Sequence, residues 1–167
     1  APNRCDIDND GEGDGDHWVC EHRRTAIANT VLFRKVTDGE PLTHWWSNGN
    51  NRIAFGRDDK GFVAINREGS AFSNTYQTNM PAGTYCDITR GDLLPDGTCT
   101  GRLITVEANG QILSQSLDPM DAFAIHIAAR TDWDYGDHAP GYGIPYHTGN
   151  APILGDVWRT DDGVLQG

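Results

Sequence analysis

The chain has 167 residues, 37% of them apolar, which is enough for one packed domain with an appendage and excludes disorder throughout. Its 24 acidic against 13 basic residues leave a net charge of −11, which argues against nucleic acid or an anionic membrane as partner. No apolar run approaches the ~18 residues of a membrane span, and Ala1-Pro2-Asn3 has neither the charged start nor the apolar middle of a signal peptide, so a processed form is expected.

The first distinctive stretch is CDIDNDGEGDGDHWVC, residues 5 to 20, with six carboxylates between two cysteines. Asp6, Asp8 and Asp10 followed by Gly11 give D-x-D-x-D-G, in which alternating oxygen ligands converge on a hard cation while glycine permits the turn. Glu12 offers a carbonyl and Asp14 a further oxygen, so calcium is the expected ligand. A full EF-hand would place Glu where His17 stands, and too few residues precede the loop for an entering helix. A calcium loop of the kind in thrombospondin-type repeats resembles it better. The plainer alternative is a solvated acidic loop whose Asp16 caps the next helix.

From His17 to Lys35, Val19, Ala26, Ile27, Thr30, Val31 and Phe33 recur at helical spacings, with Arg34-Lys35 favourable at the C-terminus. Thr37-Asp38-Gly39-Glu40-Pro41 then ends the helix. Beyond it, seven short β-type runs follow: residues 52–57, 61–67, 71–78, 83–90, 101–108, 111–117 and 122–129. Turn clusters such as Asp58-Asp59-Lys60-Gly61 and Ala108-Asn109-Gly110 punctuate them. Closely spaced strands without intervening helices predict a mainly β, antiparallel sandwich with Greek-key connections, in which Phe123, Ile125 and Ile127 share one face. Ahead of the first run, Trp45 and Trp46 with Asn48, Asn50 and Asn51 read either as a sugar platform or as packing.

After Arg130 the character changes: residues 131–167 hold seven glycines, three prolines and five Trp or Tyr, with no sustained period. Trp133, Tyr135, Tyr142, Tyr146 and Trp158 on such a segment suit an extended arm that wraps a surface or joins copies of the chain. Three regions result: 1–35, acidic loop and helix; 36–130, β-sandwich; 131–167, extension. The four cysteines fall as two local couples, Cys5/Cys20 and Cys86/Cys99, a spacing that reads as disulfides in an oxidising compartment although sequence alone permits three connectivities. His17, His22, His44, His126, His138 and His147 show no metal-ligand spacing, and no Ser or Cys has a base and orienter nearby, so independent catalysis is not expected.

WVCEHR (18–23), WW (45–46), AFGR (54–57), GF (61–62), PAGTYCD (81–87), CTG (99–101) and AIH (124–126) occur in that order. Together they resemble the C-terminal part of an animal-type, chloride-dependent α-amylase, a glycoside hydrolase, from about Cys5 to Ala129. The resemblance implies that the helix beginning WVCEHR is the last of a catalytic barrel and that the strands form the separate C-terminal sandwich. It also implies bridges Cys5–Cys20 and Cys86–Cys99. The family's catalytic acids and its calcium and chloride ligands lie on barrel segments without a counterpart here, so no catalytic residue is assigned and chloride is not expected. The acidic run enlarges a loop that is short in the family, and the arm from Thr131 extends past the family's usual end.

Three functions follow as expectations. The chain is the C-terminal segment of a secreted α-amylase whose upstream barrel hydrolyses starch; or a free-standing module that assembles with its own copies through the arm and binds calcium; or a carbohydrate-binding module using Trp45 and Trp46. The partners expected are an amylase barrel fragment, copies of the chain, or α-glucan.

Overall fold

The computed structural model describes residues 24–131 and, beyond them, two short strands at 158–159 and 165–166. The helix α1 spans Thr25–Val36 and is preceded by Arg24 in an extended conformation (φ −59°, ψ 133°), so the helix expected over His17 to Lys35 does not run through Arg24, and its part from His17 to Arg23 lies outside the described residues. Asp16 and the expected first turn lie outside the described residues, and no side chain caps α1. Nothing among the described residues explains the break at Arg24. At the other end Arg34 and Lys35 occupy the last turn, where their charge opposes the helix dipole.

Eight strands follow: β1 Leu42–Ser47, β2 Arg52–Arg57, β3 Gly61–Asn66, β4 Phe72–Gln77, β5 Gly83–Cys86, β6 Leu103–Val106, β7 Gln111–Leu117 and β8 Asp121–His126. The mainly β antiparallel sandwich is therefore present. β1-β2-β3-β8 form one antiparallel sheet, while β4 pairs with β7 and β5 with β6. The pairs β3/β8, β4/β7 and β5/β6 are nested, so the chain leaves the first sheet after β3 and returns only at β8. Outside this body, β9 Trp158–Arg159 pairs antiparallel with β10 Leu165–Gln166.

β1 is the strand that the sequence pattern does not reveal. Thr43 pairs with Gly56 and Trp46 with Ala54, so His44 and Trp45 together oppose Phe55 in a bulge, with His44 at φ 48°. The extra residue breaks the period-2 alternation by which strands are read. The run at 83–90 is shorter than expected, because Asp87 begins a turn, and the last run ends at His126 in a 3-10 turn, Ile127–Ala129. Ile127 still packs against the core formed by Phe123 and Ile125.

The core lies between the layers. Ala54, Phe62, Ala64, Phe123 and Ile125 of the first sheet meet Tyr76, Tyr85, Ile104, Val106, Ile112 and Leu117. Phe62, Tyr76 and Phe123 form an aromatic cluster with centroids 5.6 to 6.1 Å apart, a geometry that adds to area burial. Tyr85 is fully buried and its hydroxyl donates to the Pro81 carbonyl (2.7 Å), so the phenol enters the core without an unmet polar group.

A second, smaller cluster lies on the other face of the first sheet. There Ala124 joins Cys86, Ile88 and Ala129, with Phe33 and Val63 against it. The α1 face carrying Asn29, Phe33 and Val36 seats here because Gly61 leaves a slot in β3: a Cβ on Gly61 would stand 2.8 Å from both the Phe33 ring and the Thr37 methyl. Asn29 adds bonds from its amide to the carbonyls of Ile88 (3.2 Å) and Gly91 (3.1 Å) and to Asp92 Oδ1 (2.8 Å).

Candidate functional site

The bulge in β1 separates the two tryptophans. Trp46 faces inward, stacked on Phe72 (5.4 Å) and edge-on to Tyr76 (6.0 Å), where it packs against the core. Trp45 faces outward, 56% exposed, its indole near-parallel to Phe55 at 6.1 Å. The pair is therefore not one platform. Only Trp45 presents a ring to solvent, and of the asparagines grouped with it Asn48 is committed to Glu68 (2.7 Å), while its Oδ1 accepts from the backbone N–H groups of Asn50 and Arg52.

A second exposed feature is the outer side of α1. Ile27 and Val31, on the side opposite Asn29 and Phe33, are 43% and 69% exposed. An amphipathic helix whose far side also carries branched apolar residues has the pattern of an element covered on both sides.

Two charged clusters emerge that sequence spacing concealed. Asp87, fully buried, accepts from the Arg102 Nε (2.9 Å) and Nη2 (2.8 Å), from Thr89, and from the Ala124 N–H (3.1 Å). Arg102 continues to Asp121 (3.1 Å), which Arg90 also holds (2.6 Å). Burial pushes the Asp121 carboxyl up, but bonds from Arg90, the Ala122 N–H and Arg102 outweigh it and hold the group below the usual carboxylate range. Asp87 and Asp121, each held by arginine, are thus struts joining β5, β6 and β8. The signal available in the sequence is that Asp87 directly follows Cys86 and Arg102 stands shortly after Cys99, and those two cysteines form a disulfide, with Cα atoms 5.4 Å apart.

The second cluster is Glu40, Asp58 and Asp59, whose carboxylate oxygens lie within 4.8 Å of one another at the rim beside β1 and the β2–β3 turn. Asp58 accepts from Asn79 (2.7 Å), itself bonded to His44 (2.7 Å), and Asp59 pairs with Lys60 (3.1 Å). It is a braced acidic rim.

The remaining predicted positions cannot be joined to these features. Asp6, Asp8, Asp10, Glu12, Asp14, Cys5 and Cys20 lie outside the described residues, as do Trp133, Tyr135, Tyr142 and Tyr146, and the side chain of Trp158. Among the described residues no helix is long and apolar enough to cross a membrane.

An antiparallel sandwich with Greek-key-type crossovers, carrying one helix on its outer sheet face and a disulfide from β5 to the loop ahead of β6, defines an all-β accessory domain. Comparison with known proteins fixes which one. The family described as "Alpha amylase, C-terminal all-beta domain" matches residues 45–128, and the chain belongs to that family. It is 46% identical over 120 residues to the human pancreatic α-amylase and 42% identical over 120 residues to the pig pancreatic α-amylase. In each case the match covers 70% of this chain and 23% of the relative. A crystal structure of α-amylase I from Eisenia fetida, an E249Q mutant with maltohexaose, superposes with a TM-score of 0.59 at 36% identity, covering 66% of this chain and 23% of that one. The chain therefore spans under a quarter of the length of these relatives and corresponds to an α-amylase C-terminal domain.

Proposed function

We propose that this domain serves a secreted α-amylase, in which starch hydrolysis is performed by a barrel ahead of it and the β-sandwich itself is non-catalytic. The observation that carries this reading is α1: one side seats on the sandwich through Asn29, Phe33 and Val36, and the opposite side exposes Ile27 and Val31. Such a helix suits the junction between two packed bodies. The Cys86–Cys99 bridge supports an oxidising, extracellular setting. Size-exclusion chromatography with intact-mass measurement on material from the native source tests it. Co-elution with a larger polypeptide that hydrolyses starch supports the reading. Homo-assemblies alone would replace it with the self-assembling module joined through the C-terminal aromatics.

The exposed Trp45 ring favours a second reading, in which the domain also holds α-glucan. Aromatic faces stack on pyranose rings, and Trp45 is the one of the pair with a free face. A starch pull-down whose bound fraction is unchanged by Trp45→Ala rejects it. Calcium at Asp6, Asp8, Asp10, Glu12 and Asp14 is proposed on their spacing alone. Calorimetry on the full chain decides it: heat that disappears in Asp8→Ala agrees, and no heat at millimolar calcium rejects it.

A further inference from the structure

His126 is 1% exposed, and among the described residues neither ring nitrogen has a hydrogen-bond partner. In native proteins such a group calls for an explanation, because an unmet polar atom in the interior costs free energy that an apolar side chain of the same shape would not. The position in the fold supplies one. Phe123 and Ile125 point from β8 into the main core, while Ala124 and His126 point the other way, toward α1. The Phe33 ring covers the imidazole at 6.2 Å, and His126 pairs across the ladder with Gly61, the residue whose missing side chain makes the slot for α1. Lifting α1 therefore hydrates the ring without opening the main core.

We propose that His126 makes the junction between α1 and the β-sandwich an acid-labile latch, closed while the ring is neutral and released when it takes a proton. Among the described residues an imidazolium in this position has no acceptor and no counter-charge. The charged groups on the elements around it are engaged elsewhere. On α1, Arg34 pairs with Asp38 of the following turn, and in the β5–β6 loop Asp92 accepts from Asn29. On β2, Arg57 donates to the Thr37 carbonyl, and in the β2–β3 turn Lys60 pairs with Asp59 while Asp58 accepts from Asn79. Asp87 and Asp121 are held by Arg102 and Arg90. Lys35 and Arg130 are both cations and offer the ring nothing when it is charged. Desolvation is the sole cause that lowers the ring's basicity, to about 4 against 6.5 for a hydrated imidazole.

The direction follows from linkage. The opened state binds the proton more readily than the closed one, so closure is unaffected above pH 6.5 and weakens progressively down to about 4. Within that window the opening constant of α1 should rise about tenfold per pH unit. The latch does not depend on the amylase reading; it concerns only the contact between α1, β3 and β8.

Amide hydrogen exchange by NMR on the full chain, expressed as protection factors corrected for the intrinsic rate, tests it between pH 7.5 and 4.5. The expected result is that protection of amides from Phe33 to Val36 falls roughly 40-fold between pH 6.5 and 4.5, while that of Phe62 and Phe123 falls less, and that His126→Phe removes the fall. Equal protection of α1 at both pH values, or an identical fall in His126→Phe, overturns the proposal. Should that variant not fold, His126→Leu takes its place. Titration of the wild-type ring gives an independent decision: an ordinary pKa near 6.5 with α1 still protected overturns the latch.

Discussion

Arg102 holds the buried carboxylate of Asp87 through one oxygen, with Nε at 2.9 Å and Nη2 at 2.8 Å from Oδ2. The other oxygen is taken by Thr89 and by the Ala124 N–H, so the carboxylate is fully satisfied only while Arg102 is present. Removing one partner of such a pair leaves an uncompensated buried charge, a loss of about 3–5 kcal/mol. Arg102 is a quarter exposed, so Arg102→Met should lie at the lower end, about 3 kcal/mol, read from the denaturant midpoint. Arg34→Ala removes the exposed helix pair with Asp38 and should leave that midpoint unchanged.

Acid should destabilise the protein in two stages. The depressed basicity of His126 makes its contribution complete above pH 6.5 and declining toward about 4. Asp121, held below the usual carboxylate range, contributes above that range, near 3.9, and its contribution is lost only at lower pH. Thermal midpoints measured against pH should be level above 7, fall from 6.5, and fall again below about 4. His126→Phe should abolish the first decline and keep the second.

Reduction of the Cys86–Cys99 bridge should be costly for its size. The bridge closes a short loop, a separation of 13, for which the chain-entropy account gives about 3 kcal/mol. It also fixes the approach of Asp87 to Arg102. The double variant Cys86→Ala with Cys99→Ala should therefore lose at least about 3 kcal/mol in urea unfolding, and Arg102→Met added to it should cost less than it does alone, the non-additivity expected of coupled neighbours.

The two tryptophans should separate cleanly. Trp46→Ala empties the space against Phe72 and Tyr76 and should destabilise by about 3 kcal/mol. Trp45→Ala removes an exposed ring resting on Phe55 and should cost under about 1 kcal/mol. Chemical unfolding of both variants checks the difference, and equal losses would contradict the placement of the bulge.

The strands were readable where turn residues and alternation agree: Arg52–Arg57 and Gln111–Leu117 match their sequence runs residue for residue. β1 was hidden because His44 adds a residue and shifts Trp45 and Trp46 out of alternation. The local cysteine couple at 86 and 99 was legible from spacing, whereas the network of Asp87, Arg90, Arg102 and Asp121 was not, since charges apart in sequence look like ordinary surface until β5, β6 and β8 bring them together. The inward or outward sense of Trp45 depended on a single backbone torsion. His126 read as one histidine among six without ligand spacing, and only burial under Phe33 distinguishes it.

The nesting of β5/β6 inside β4/β7 inside β3/β8 also orders the events by which the domain assembles. The innermost hairpin closes the smallest loop, and each ladder formed brings the ends of the next within reach, so zipping outward is the route with the least entropy lost per step. The first sheet gains its last strand, Asp121–His126, only at the end of that sequence. A chain emerging from the ribosome can thus form β1, β2 and β3 early but must keep the far edge of β3 unpaired until β8 arrives. Chaperone contact during synthesis should concentrate on that interval.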